Sequence, residues 1–499
     1  MSITYEIPRE LTTRELLDPR RTPEAGFQSY EWFTNNAVAQ KKSFLSGAVR
    51  NPDLKYSKFH QVSQLDMGLA NLDYVKDQVW KYEDVDMYRV IAPSLTFRQI
   101  EMMYVKEAAE LNELVSNGAP EQEVVNLVEH VREVNEIIYG TPNQVVLDGA
   151  YNKLWGMIDD KVLHPSAQLL KDELENGFVF DGRQCAPMGR ASDSAAELPP
   201  YEDNPALEWF AEIVDEENED IRDLVHTFWE QKVAIHGEDY ECGPEDIIEA
   251  FQAVIEMRGL DQRAGVTVKP QPGKTALSWE SPELSVHVGL NRVPIKSANE
   301  LFAKIKHELA KHGQACVEGL ETEAPVLGTG LYTETERPDY LSFEEGVATT
   351  AEEVGGDTEP KWDVSMLGHY INIAEAAQNG HDFRETFEKA WRYRLLAQIK
   401  PGQEVTQEII DKHQSAAYTA CVRIYRGTPI NVRELYPRVT PLTFNKDLAY
   451  LNGRVLALQY IQECHEKNDV EAIKMLFRGK FDPTIPEQRE IADRFLRNV

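Results

Sequence analysis

Residues 298–313 read ANELFAKIKHELAKHG and contain the string H-E-x-x-x-H, from His307 through Glu308 to His312. The apolar spacing across 297–312 is that of a helix with one buried face. Two neutral imidazoles beside a carboxylate suit zinc: the rings bind the ion, and the Glu is placed to take a proton from water on the metal. The common spacing is H-E-x-x-H, because residues four apart lie about 40° apart around a helix. Five apart, His307 and His312 differ by roughly 140°, so a regular helix would not aim both at one ion. A one-residue π-bulge restores convergence, as does unwinding at the helix end, which Gly313 permits. The other reading is an exposed helix that carries two histidines.

A second helical signal follows at 342–353, SFEEGVATTAEE. Catalytic zinc takes three protein ligands and leaves one position open for water. A Glu on a neighbouring antiparallel helix supplies the third, although Glu344 and Glu345 also fit an ordinary acidic first turn facing the helix dipole. Upstream, 265–269 (GVTVK), 275–279 (TALSW) and 284–290 (LSVHVGL) read as strands, with Pro270 to Gly273 as a turn. They predict a small antiparallel sheet. The strand next to the metal helix can pair with an extended peptide across the zinc, and Leu284 to Leu290 is the candidate. Its alternative role is to cover the core.

The rest of the chain reads as helical, at 99–117, 121–139, 205–235, 244–258, 343–354, 383–398, 405–426 and 446–466. The second of these ends at Tyr139-Gly140-Thr141-Pro142, and Pro244 with its acidic neighbours opens another. Residues 180–204, rich in Pro, Gly and Ser, read as a long loop or a lobe boundary. The first 85 residues have weaker periodicity and read as a mostly helical extension, leaving 86–499 as the main domain.

The chain has 499 residues, 42% of them hydrophobic, which excludes wholesale disorder. Asp and Glu number 84 against 52 Lys and Arg, a net charge of −32. Such a surface repels phosphate backbones and anionic lipid heads, so no nucleic-acid or membrane partner is expected. The charged N-terminal stretch MSITYEIPRELTTRELL has no apolar signal core, and no run of about 18 apolar residues spans a bilayer. Five cysteines without a CxxC pair read as reduced thiols, so a cytoplasmic location is expected.

Residues 307–312 and 345–348 are followed by Arg423-Ile-Tyr-Arg426-Gly427 and by Phe444-Asn-Lys446-Asp447-Leu-Ala-Tyr450-Leu451-Asn-Gly453. In this order they resemble the tyrosine/phenylalanine carboxypeptidase-domain family, which includes the microtubule-associated tyrosine carboxypeptidases and bacterial relatives named for a QEGLA motif. The Tyr139-to-Pro142 stop falls where such proteins carry a similar Tyr-Gly-x-Pro. The resemblance implies a metal-dependent carboxypeptidase with His307, His312 and Glu345 on zinc and Glu308 as general base and acid. Glu345 matches the Glu of QEGLA. Here Glu344 replaces the motif's Gln, so it stands as the fallback ligand, and Val347 replaces Leu. Lys311 lies near the metal unless it points to solvent.

A carboxypeptidase must hold a free α-carboxylate, which the planar fork of Arg pairs bidentately. Arg423 and Arg426 lie three apart, and Lys446 is a further cation. One of the three is expected to anchor the substrate terminus, or else they pair with Asp447 or nearby acids. Tyr332, Tyr340, His369, Tyr370, Tyr425 and Tyr450 are candidates to stabilise an oxyanion. Cys316 reads as a buried thiol, and His226 and His236 as structural.

The expected fold is mainly α (α+β), a helical zincin-like metallopeptidase with a small antiparallel sheet at the active-site cleft. The expected activity is zinc-dependent removal of a C-terminal residue, Tyr or Phe by the resemblance, from a peptide or protein. The alternatives are a zinc endopeptidase or aminopeptidase on the same scaffold, or a non-catalytic metal-binding regulatory protein.

Overall fold

The computed structural model describes residues 12–83, 85–333, 340–354 and 360–497. Helices dominate, and two small sheets complete the secondary structure. The helices that build the site's surroundings are α1 (Val85–Ser116), α2 (Glu121–Tyr139), α3 (Ala298–Ile305), α4 (Ala315–Glu321), α5 (Leu341–Val354), α6 (Gln407–Ile424) and α7 (Leu448–Lys467). Expected from residue 99, α1 starts at Val85 and carries Pro93 inside it. Proline normally breaks a helix; here Ile91, Leu95 and Phe97 are buried around it and hold the helix together. Helix α2 stops as expected, at Gly140 in the left-handed region (φ 74°). The stretch 205–235 is two helices, split at Asn218, whose side chain caps back onto the Val214 carbonyl at 2.8 Å.

Within 1–85, residues 1–11 and 84 lie outside the described residues. The remainder holds short helices and the longer Leu65–Tyr82. Leu16, Leu17, Phe27 and Phe33 from this segment join the same buried cluster as α1, α5 and α7. The stretch 180–204 is largely irregular and is entered through the hairpin of β1 (Phe178–Phe180) and β2 (Arg183–Cys185).

The three strands expected upstream of the metal helix are present as β3 (Thr267–Gln271), β4 (Leu277–Glu280) and β5 (Ser285–Gly289). Their sheet is mixed, not antiparallel throughout. Strand β5 is central, parallel to β3 and antiparallel to β4. The connection after β3 crosses the end of β5, where Gly289 N donates to Ala276 O (2.8 Å) and Asn291 N to Lys274 O (2.9 Å). That crossing puts β4 on the far side. With both of its edges paired, Leu284 to Leu290 has no backbone groups left for a peptide, and β4 is the edge strand beside the metal helix instead.

Two hydrophobic cores result. The larger takes in α1, α5, α6 and α7; the smaller surrounds the sheet and holds Val286, Val288, Leu301, Phe302, Ile305 and Leu309. The metal helix belongs to the smaller core and α5 to the larger, so their polar faces meet at the seam. Helix α5 crosses α7 backbone to backbone: a Cβ on Gly346 would stand 2.0 Å from Gly453 O, and one on Gly453 1.6 Å from Ser342 O. No helix among the described residues is long and apolar enough to cross a membrane. All five cysteines are free and buried.

Candidate metal centre

Ser297 starts α3 by accepting a hydrogen bond from Glu300 N at 3.0 Å. From Lys306 to Gln314 the chain winds as a π-helix, and it then returns to α-helix as α4. In a π-helix, hydrogen bonds run from i to i+5. Residues five apart therefore stack about one turn above each other, which removes the 140° divergence of a regular helix. The wide winding covers nine residues, not one, and the helix continues through Gly313 without unwinding there. The His307 and His312 ring centres lie 5.0 Å apart. Donor atoms of His307, Glu308 and His312 all fall within 4.8 Å of one another.

The two histidines are oriented alike. His307 brings Nδ1 to 2.7 Å from Glu352 Oε2, an ion-pair contact bent away from the line of a hydrogen bond, while its Nε2 lies 3.9 Å from Glu308 Oε1. His312 Nδ1 is hydrogen-bonded to Glu344 Oε1 at 2.7 Å, and its Nε2 lies 4.0 Å from Glu345 Oε2. Glu345 thus faces the inner nitrogen of His312 and Glu344 the outer one. Two imidazole nitrogens and a carboxylate form a donor set that suits zinc.

Glu308 is buried, which pushes its carboxyl pKa up against the pull of His307 and His312. Its Oε2 accepts a hydrogen bond from Trp279 N on β4 at 2.8 Å. Burial disfavours a charged His307, but Glu308, Glu352 and Glu345 outweigh it and push the imidazole up to about 9. Burial also opposes charge on Glu352, yet His307 and Lys304 hold it down at about 2. Glu344 stays well below the ordinary carboxylate range despite burial, because Lys480, Lys311 and His312 face it. Lys311 does not point to solvent. It is 2% exposed, and burial pulls it down to about 8 although Glu344 lies close.

Two of the three cations expected to hold substrate meet at one carboxylate. Asp447 has no exposed side-chain surface and receives Arg423 at 2.9 Å and Arg426 at 3.7 Å. Lys446 instead faces Glu345, at 3.9 Å. Burial works against a charged Asp447, but Arg423, His369, Arg426 and Lys446 hold it ionised. Among the oxyanion candidates, Tyr332 stacks on Phe97, and Tyr340, Tyr370 and Tyr425 spend their hydroxyls on Thr329 O, Asn452 and His381 O. His369 lies behind Asp447, with Nδ1 3.9 Å from Oδ2. Tyr450 stands at the cations, its ring 5.5 Å from Arg423 and 5.6 Å from Lys446. Cys316 is fully buried, and burial pushes its thiol up to about 11.

Four residues at the site were not among the candidates of the sequence reading. Glu352 was legible in principle, since it follows Glu345 by seven residues and so shares its helix face. Trp279 and Lys480 come from distant parts of the chain. Tyr30 comes from the N-terminal segment and places its ring 4.6 Å from Lys446 Nζ. No local pattern marks these three.

No curated protein and no solved structure matches the chain. A family model described as Microtubule-associated tyrosine carboxypeptidase matches residues 285–491, from β5 to the last helix. That span contains His307, Glu308, His312, Glu345, Arg423, Arg426 and Lys446, whereas Tyr30 and Trp279 lie before it. The match bears out the resemblance read from the motifs: residues 285–491 are similar to the domain of the microtubule-associated tyrosine carboxypeptidase family.

Proposed function

We propose that this chain is a zinc-dependent metallocarboxypeptidase that removes a C-terminal residue from peptides or proteins. The observation that carries the reading is the π-wound segment, which brings His307, Glu308 and His312 within 4.8 Å despite their five-residue spacing. His307 and His312, through Nε2, and Glu345 are the residues that would hold the ion. Bound zinc lowers the pKa of water toward about 7 and polarises the scissile carbonyl.

Glu308 takes the proton from the attacking water at the oxygen that Trp279 leaves free. Water oxygen bonds to the carbonyl carbon, the C–N bond breaks, and Glu308 returns the proton to the departing nitrogen. The products are a shortened chain and a free amino acid. One of Arg423, Arg426 and Lys446 anchors the substrate's terminal carboxylate: Arg423 and Arg426 share the single charge of Asp447, which leaves positive charge for a second carboxylate to balance.

A preference for Tyr follows from the family's description, and Phe from the motif resemblance. The net charge of −32 favours neutral or basic chain ends over acidic ones, so the microtubule partner is not carried over. Five free thiols favour a cytoplasmic setting.

Elemental analysis of wild type and Glu345→Ala, followed by peptide assays, tests the reading. About one zinc per chain in wild type, lost in Glu345→Ala, is expected. Release of a C-terminal Tyr or Phe from free but not amidated peptides should accompany it. A wild type that regains no zinc on reconstitution overturns the proposal. Cleavage of blocked internal peptides would replace it with an endopeptidase.

A further inference from the structure

Helix α5 brings three carboxylates to the site, and the reading above uses only one of them. Glu345 and Glu352 lie seven residues apart, about two turns, and so on one face; Glu344 is about 100° round from Glu345. Glu344 and Glu352 each stand behind a histidine, 2.7 Å from Nδ1 of His312 and of His307. Each is itself held from behind. Lys480, 3% exposed, places Nζ 3.5 Å from Glu344 Oε1, and Lys304 is hydrogen-bonded to Glu352.

The contacts behind His312 run on. Lys480 Nζ donates to Ser281 Oγ at 3.0 Å, and Trp279 Nε1 donates to the same oxygen at 2.9 Å. Trp279 N in turn holds Glu308. A run of contacts therefore leads from the outer edge of His312 through Glu344, Lys480 and Ser281 to the indole of Trp279, the residue whose backbone N–H holds Glu308. Every link is made by buried or partly buried groups of β4, the turn after it, α5 and the segment at Lys480.

We propose that Glu344 and Glu352 are positioning residues of the metal site, which orient His312 and His307 so that both Nε2 lone pairs face one point, with Lys480 fixing Glu344. This rests on the reading of the two histidines as ligands. A metal-binding imidazole must be neutral, with its lone pair on the binding nitrogen. A carboxylate accepting from Nδ1–H selects that tautomer, locks the ring and makes Nε2 a stronger donor. A buried carboxylate needs its own counter-charge, and Lys480 supplies it. Glu344 carries more of the effect than Glu352. Its hydrogen bond is well aligned and its side chain is 2% exposed, whereas Glu352 makes the bent contact and is 24% exposed.

The test is the zinc dissociation constant, measured by competition with a chromophoric chelator, of the full chain as wild type, Glu344→Gln, Glu352→Gln and Lys480→Met. The ring-nitrogen NMR shifts of the metal-free histidines are recorded alongside. Gln keeps an oxygen to accept from Nδ1–H and removes only the charge. Glu344→Gln is expected to weaken zinc binding 10- to 100-fold. Glu352→Gln and Lys480→Met should weaken it less, about 3- to 10-fold. In Glu344→Gln the His312 signals should also move toward a mixture of tautomers.

Glu352 makes no contact with Lys480, so Glu352→Gln keeps the proposal falsifiable should Glu344→Gln fail to fold. Wild-type zinc binding with both Gln variants within twofold of it overturns this inference and leaves the carboxypeptidase reading standing. No zinc on the wild type overturns both.

Discussion

Gly346 and Gly453 face each other where α5 crosses α7, with no space for a side chain between them: a Cβ on Gly346 would come to 2.0 Å from Gly453 O. This contact presses the helix bearing Glu344, Glu345 and Glu352 onto the helix that starts beside Lys446 and Asp447. The histidine side and the cationic side of the site are therefore spaced by one backbone-to-backbone crossing.

Gly346→Ala and Gly453→Ala should each destabilise the fold by about 3 kcal/mol or more, since the obstacle is backbone and not a movable side chain. Thermal denaturation checks this. An Ala variant with an unchanged midpoint would mean that the two helices lie farther apart than described.

Glu308→Gln should lower kcat by about 10²- to 10⁴-fold, the usual worth of a positioned acid–base group. Zinc content should hold, because Glu308 is not among the proposed ligands. Parallel loss of metal and activity would give Glu308 a different role.

Lys446→Met and Arg423→Met should part company. Lys446 pairs only loosely with Glu345, so its loss should raise KM for peptides with a free C-terminus about tenfold, for one lost charge-assisted contact, and leave amidated controls unaffected. Arg423→Met removes a hydrogen-bond partner of fully buried Asp447 and should in addition cost about 1 to 2 kcal/mol of stability, the half-exposed Arg423 and the remaining Arg426 keeping the loss below that of a fully buried pair. Steady-state kinetics with denaturant titration separates the two outcomes.

Acid should destabilise the metal-free protein through His381. Burial and the adjacent Lys389, 3.5 Å away, pull its pKa from 6.5 down to about 4. The unfolded chain therefore binds this proton first as pH falls. Stability is fully present above pH 6.5 and is lost between about 6.5 and 4, by about 3 kcal/mol for this one group. Denaturant midpoints measured across that window should fall less in His381→Gln than in wild type; an equal fall in both would assign the acid loss to other groups.

The sequence made the helix carrying His307 and His312 and the acidic helix carrying Glu344 and Glu345 legible as elements, because each pair lies within a few residues on one element. The five-residue gap between His307 and His312 even demanded non-α winding, although its extent over nine residues did not follow from the string. The sheet's edge was misplaced. Alternation identifies strands but not the crossing that sends β4 around β5, so Leu284 to Leu290 was read as open when it is central. Trp279, Lys480 and Tyr30 reach the site only through tertiary packing, from outside any motif. The acidic pair at Glu344 and Glu345 was ambiguous for a related reason: which of two neighbours faces inward depends on the rotation of α5, and the Gly346–Gly453 contact sets that.

The hydrogen bond from Trp279 N to Glu308 Oε2 also breaks the equivalence of the two carboxylate oxygens. A free carboxylate can accept a proton on either oxygen and flip to present the other. Here the edge strand occupies Oε2, which leaves Oε1, on the side of His307 Nε2, as the oxygen open to a travelling proton. In the proposed reaction, collection from water and delivery to the leaving nitrogen would both use that atom, one after the other.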